Sequence, residues 1–232
     1  MAEAGADRIV AYHSSHYRDR GLPSVAGLLP WASANEQTLD ILPGVVAGAG
    51  RTPVIATVCA NDGLLPARRM IDRVAASGAV GVLNAPTVGL LEGTVRSVLE
   101  SEGLGMRSEI ALIAAAHQAS LEAWAYVFDP QWVRAAAEAG ATGVIVHLGI
   151  TGYPSTVNLE SCLQAADQGI PVLLHGGNLR SGADLQNTVR RMPPALRGRI
   201  TGGMGASVFE LSDDPSRTIS EWRIASTLPS QR

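Results

Sequence analysis

The chain contains no lysine; all 18 of its basic residues are arginines. Arginine keeps its proton at any working pH and cannot serve as a Schiff-base amine. Lysine-dependent aldolase chemistry and covalently attached pyridoxal phosphate are therefore excluded, whatever the fold. Codon bias in a GC-rich genome accounts for the loss without any functional reason. Cysteine is almost as scarce, with Cys59 and Cys162 far apart in sequence. In a reducing compartment such a pair stays unbridged, and both read as small packing residues. Long apolar runs are missing too. None approaches the roughly 18 residues of a membrane-crossing helix. The start, "MAEAGADRIV", lacks the basic and long apolar regions of a secretory signal. A cytoplasmic protein with no membrane partner is expected. A formal net charge of -3 leaves no basic footprint, so no nucleic-acid partner is expected. No GxGxxG follows the first strand, so neither a nicotinamide nor a flavin cofactor is expected.

What the chain does have is repetition. Short apolar runs alternate with helical patterns. Strands are predicted over 7–15, 52–62, 79–89, 122–129, 141–151, 171–177 and 200–209. Helices are predicted through "LPARRMIDRVAASG", near 108–120, through "PQWVRAAAEAG", through "NLESCLQAADQG" with Asn158 as N-cap, and near 181–192. Residues 1–232 read as one domain, 46% hydrophobic, with a polar tail from about 213 that is loose or a final helix. Strands that are apolar throughout, joined by helices, imply a parallel sheet covered on both faces. "AEAGADRIVAYHS" (2–14), "AASGAVGVLNAPT" (75–87) and "AEAGATGVIVHLG" (137–149) share one form. In each, a helix ends at a glycine and a strand begins at once. One βα unit recurring along the chain favours a TIM (β/α)8-type barrel over an open sheet. Seven units are present, and the chain opens on a helix end, as though the first strand were missing. A truncated start, a C-terminal segment or a second subunit each explains the gap, and a homo-oligomer is expected because bare strand edges invite pairing.

Barrels of this kind build their sites at the C-terminal ends of the strands. Those ends deliver Tyr12, His13 and Ser14; Cys59, Asn61 and Asp62; Asn84 and Thr87; Tyr126 and Asp129; His147; His175, Gly176 and Gly177; then Gly202, Gly203, Gly205 and Ser207. A single histidine at a strand end is commonly structural; three at equivalent positions point to a site. His147 and His175 suit general acid–base catalysis, because imidazole titrates near neutrality. His13 stands beside the incomplete wall. His117 falls in a helix and His16 in a loop, and both read as packing or surface residues. "HGGN" and "GGMGAS" follow the last two strands, where backbone N–H groups can hold an anion; the alternative is a pair of tight turns. Asp62 in "CANDG" is the metal-ligand candidate, for Mg²⁺ with waters and substrate oxygens; the alternative is an Asx-type turn with Gly63.

"AEAGADRIVAYHSSHYRDRGLPSVAGLLPWASANE", "TPVIATVCANDG", "GVLNAPTVGLLEG", "HLG" and "HGGN" together resemble the phosphoenolpyruvate hydrolase-like TIM-barrel family. The resemblance covers roughly residues 2–210. It implies kinship with the phosphoenolpyruvate mutase and isocitrate lyase superfamily, whose enzymes break or rearrange C–C and C–P bonds of 2-oxo acids through an enolate held on Mg²⁺. It places Asp62 on the metal side and Asn84, His147 and His175 around the pocket. The expectation is an enzyme that cleaves or hydrolyses a C–C, C–P or C–O bond next to a carbonyl in a small anionic oxo acid. His147, His175 and Asn84 would be catalytic. Tyr12, His13, Ser14, Thr87, Gly176, Gly177, Gly203, Gly205 and Ser207 would bind substrate. A metal-free version using the histidines alone is a close variant, and a ligand-binding or scaffold barrel without turnover is the alternative.

Overall fold

The computed structural model describes residues 1–29, 31–167 and 169–227. Its elements in chain order are β1 (Ile9–Ala11), α1 (Ser15–Arg18), α2 (Ala34–Gly48), β2 (Val54–Val58), α3 (Ala67–Ala76), β3 (Gly81–Asn84), α4 (Gly93–Ser101), α5 (Met106–Gln118), β4 (Glu122–Val127), α6 (Pro130–Glu138), β5 (Gly143–His147), α7 (Leu159–Ala165), β6 (Val172–His175), α8 (Gly182–Arg191), α9 (Pro194–Arg197), β7 (Ile200–Gly203), α10 (Ser207–Glu210) and α11 (Pro215–Thr227). The seven strands are all parallel and lie in chain order, β1 to β7, in one curled sheet. This is an α/β barrel that lacks one strand, and β1 and β7 are its edges.

Each strand has two apolar faces with different partners. Ala56, Val82, Ala125, Val144, Val146 and Leu174 pack outward against the helices. Ile55, Leu83, Trp124, Tyr126 and Ile145 face inward and fill the barrel with Met204. Trp124 has room because Gly143 lies beside it; a Cβ there would come within 2.4 Å of the indole. The repeated glycines largely behave as the pattern requires. Gly78 and Gly140, just past α3 and α6, have φ of +87° and +84°, the left-handed conformation that turns a helix end into the next strand; Gly5, at +82°, ends a turn ahead of β1, where the sequence pattern implied a helix end.

Helix starts follow local chemistry. The Asn158 side chain accepts the Ser161 N–H, as an N-cap should. Asp129 caps α6 ahead of Pro130. The sequence pattern did not mark α2 or α4. Pro43 lies inside α2 and obscures its period, although Ser33, accepting the Glu36 N–H, marks its start. The strand expected over 200–209 ends at Gly203, and Ser207 opens a short helix instead. The tail from 213 is the helix α11 through Thr227; residues 228–232 lie outside the described residues.

Candidate active site

His147 and His175 are register partners at the ends of β5 and β6. Their rings meet edge to face, 4.7 Å between centroids. The Tyr126 ring, from β4, lies 4.8 Å from His147 and 5.5 Å from His175. Phe128 stacks on His147 at 5.1 Å. The histidines are only 4% and 9% exposed. Burial, reinforced by His175, holds His147 well below the ordinary histidine range. Burial also lowers His175, against an opposing hydrogen bond to the Met204 carbonyl. Both rings are therefore neutral at neutral pH.

Their hydrogen bonds fix opposite tautomers. The Gly149 N–H donates to His147 Nδ1 at 3.1 Å, so the His147 proton sits on Nε2. His175 Nδ1 lies 2.9 Å from the Met204 carbonyl, which can only accept. That nitrogen carries the proton and leaves a lone pair on Nε2. One ring thus presents a donor and its neighbour an acceptor. Gly176 and Gly177 support this arrangement. Their φ values are +77° and +57°, and a Cβ on Gly176 would come within 2.2 Å of the Gly149 carbonyl. The Gly177 N–H donates to that same carbonyl at 2.9 Å, tying the loops after β5 and β6 together.

Other residues named from the sequence sit elsewhere. Tyr12 faces inward under the Arg18 guanidinium, 5.7 Å from its ring centre. His13 Nε2 is 3.1 Å from the Gly27 carbonyl, and its Nδ1 has no partner among the described residues. Burial pushes His13 down to about 4. The Ser14 hydroxyl accepts from Arg18. Thr87 accepts the Gly89 N–H and lies against Met106. Gly203 and Gly205 make room for the Trp222 and Phe209 rings. On β3 Leu83 takes the inward position, and Asn84 is bonded to α5 and to the β4 backbone. Its Nδ2 donates to Glu109, and its Oδ1 accepts the Tyr126 N–H at 2.6 Å.

The Asp62 carboxylate is saturated. It accepts from the Ser33 hydroxyl and from the N–H groups of Asn35, Leu64 and Leu65. Burial opposes its charge, but these donors outweigh burial and keep it below the usual carboxylate range. Among the described residues no three His, Cys, Asp or Glu side chains gather as metal ligands. A carboxylate engaged in this way ties the loop after β2 to the start of α2, and it does not fit Mg²⁺.

A cavity of about 480 Å³ opens where β1 and β7 fail to meet. The inward Ile55, Leu83, Ile145 and Leu173 line it, with Tyr12 and Met204 above and Trp222 of α11 at the side. Tyr126 links this cavity to the histidine pair: its ring touches both imidazoles and its hydroxyl lies 3.4 Å from Met204 Sδ. Above the cavity a buried ion pair joins the two edges. Arg18 holds Glu210 through two bonds, Nε to Oε2 and Nη2 to Oε1, the latter at 2.7 Å.

Tyr126 appears among the strand ends in sequence, but its contact with both histidines could not be read there. Glu109 had a visible signal. It is the one acid on a helix face otherwise made by Leu112, Ile113 and Ala116. Arg18 and Glu210 carried none.

The sequence model described as phosphoenolpyruvate hydrolase-like matches residues 1–214. The chain belongs to that family. Within it, the ToMV resistance protein Tm-1(GCR237) of Solanum lycopersicum is 38% identical over 224 residues, a match covering 89% of this chain. The chain spans only 29% of the length of that relative. Among solved structures, YagE of E. coli K12, a dihydrodipicolinic acid synthase family protein in complex with pyruvate, aligns with a TM-score of 0.57 at 17% identity over 97% of this chain and 66% of its own. Thiamine phosphate pyrophosphorylase from Pyrococcus furiosus aligns at 0.55 and 14% identity, over 97% of this chain and 85% of its own. At such identities these neighbours establish the fold alone.

Proposed function

We propose that this family member is an enzyme that breaks a bond next to a carbonyl in a small oxo acid, using its two strand-end histidines and no metal. The observation that carries the reading is the opposite wiring of the pair. His175 Nε2, with its lone pair free, takes a proton from a substrate hydroxyl or an attacking water. With a substrate hydroxyl, the former O–H pair closes a new C=O and the bond between that carbon and the carbon α to the carbonyl breaks. The bond's electrons form an enolate with its charge on the carbonyl oxygen. With water, the water oxygen adds to the carbonyl carbon and the π pair moves onto the carbonyl oxygen. Collapse of that adduct breaks the bond to the leaving carbon, which takes the bond's electrons. His147 Nε2–H donates to that oxygen as it becomes an enolate or oxyanion. His175 then returns the proton to the leaving carbon. Tyr126 and Phe128 keep both imidazoles neutral by excluding water. The substrate's anionic end would lie against the loops after β6 and β7, the "HGGN" and "GGMGAS" turns. The cytoplasm and a homo-oligomeric state remain part of this proposal.

A second reading, a binding barrel without turnover, draws on the burial of both histidines and on the name of the tomato relative, which refers to resistance and not to a reaction. One experiment separates the two. The wild type, His175→Ala and His147→Ala are assayed for binding and product formation on a panel of 2-oxo and β-keto acids. The enzyme reading expects wild-type turnover that falls about 10²–10⁴-fold in His175→Ala and about 10²–10³-fold in His147→Ala. Binding without product in the wild type leaves only the second reading.

A further inference from the structure

The carboxyl of Glu109, on α5, is buried in the wall between β3, β4 and the loop after β3, and only 1% of the residue is exposed. Everything that meets it is a donor. Asn84 Nδ2–H points at one oxygen, 2.5 Å away, and the Val88 N–H at the other, 2.8 Å away. Such a set suits a carboxylate. A carboxylic acid has one O–H, which here would face an N–H. Asn84 cannot relieve that clash by turning over. Its Oδ1 already accepts the Tyr126 N–H, and its Nδ2 also reaches the Tyr126 carbonyl at 3.3 Å. These two bonds continue the β3–β4 pairing beyond its last register pair, Leu83 with Trp124. The same Tyr126 carries the ring that touches both histidines.

We propose that Glu109 is a positioning residue whose proton governs a lock. As a carboxylate it fixes the Asn84 amide in the orientation that holds the Tyr126 backbone, and on protonation it loosens that hold and with it the Tyr126 wall of the histidine pair. The lock stands on its own geometry, and its bearing on turnover rests on the catalytic reading above. Burial raises Glu109 to about 7, against the pull of its donors. The neighbouring charged and titratable groups are Arg96 of α4, itself bonded to Glu100 and to the Val88 carbonyl, and the Cys59 thiol at the end of β2, which burial raises to about 11. The Cys59 thiol therefore keeps its proton near neutrality, and His147 and His175 are both pushed lower.

The test is a ¹H–¹⁵N NMR titration of the whole chain between about pH 5.5 and 8.5, following the Val88 and Tyr126 amides. In the wild type both should move together with a midpoint near the Glu109 value of about 7. Glu109→Gln should remove that step from both. Asn84→Ala should remove it from Tyr126 and leave it at Val88. A Tyr126 amide that does not respond to pH, a step that survives in Glu109→Gln, or one that survives at Tyr126 in Asn84→Ala overturns the proposal. Should the alanine variant fail to fold, the wild-type and glutamine titrations decide it by themselves. None of these signals depends on turnover, so an inactive wild type would sink the catalytic reading and leave the lock standing.

Discussion

From β4 to β6 the barrel wall is continuous main chain, while between β7 and β1 it is made of side chains. In the first region the paired strands carry buried neutral groups, each oriented by the main chain through one ring nitrogen: His147 Nδ1 by the Gly149 N–H and His175 Nδ1 by the Met204 carbonyl. In the second, two edges face a cavity, and a charged clasp, Arg18 with Glu210, joins chain segments 192 residues apart. A backbone ladder keeps its shape whichever side chains line it, so it can host imidazoles under tight geometric control. A seam of side chains holds only while each partner is present.

Removing a partner from the seam should therefore have the largest effect. Arg18 is 1% exposed in its side chain and Glu210 22%. Glu210→Ala strands a buried guanidinium and should cost about 3 kcal/mol in urea unfolding. The double variant with Arg18→Met should lose less than the sum of the two single changes, because the stranded charge is gone.

Protons sharpen the contrast next, since Glu109 and His13 pull in opposite directions. The folded pKa of Glu109, about 7, lies above its ordinary 4.5. Its contribution favours folding in full below about pH 4.5 and is lost as pH rises through 7. The folded pKa of His13, about 4, lies below its ordinary 6.5. Its contribution is complete above 6.5 and is lost as pH falls through 4. Each is worth at most about 3 kcal/mol. Between pH 4.5 and 6.5 the two slopes largely cancel. Glu109→Gln should gain stability relative to wild type as pH rises from 4.5 to 7, read from urea midpoints across that range.

In the paired wall, Gly176→Ala forces a Cβ toward the Gly149 carbonyl at a positive φ. It should cost about 2 kcal/mol and disturb His147 through the Gly149 N–H. The smallest effect belongs to the outer surface. Arg217→Ala removes an i,i+4 pair with Glu221 whose side chains are 77% and 49% exposed, and should shift stability by no more than about 0.5 kcal/mol.

The barrel and its family could be read from sequence because the βα unit repeats. Gly5, Gly78 and Gly140 recur at the same point ahead of β1, β3 and β5, and each following strand is largely apolar. The rim was legible in part. Position along a strand placed His147 and His175 at one end of the barrel, and register made them neighbours. Parity along β3, with Leu83 inward and Asn84 bonded to α5, was not anticipated, so Asn84 was read as a pocket residue. Two of the Asp62 donors, the Leu64 and Leu65 N–H groups, form the local turn that the sequence offered as the alternative to a metal site; the other two come from Ser33 and Asn35, almost thirty residues away, and long-range hydrogen bonds leave no local pattern. The Arg18–Glu210 clasp was invisible for the same reason.

The two imidazoles owe their opposite polarity to a main-chain amide and a main-chain carbonyl, at Gly149 and Met204. Side-chain exchange cannot delete either atom. Neighbouring loops are thus at liberty to diverge, while the choice of which ring nitrogen carries the proton in each imidazole is inherited from the scaffold itself.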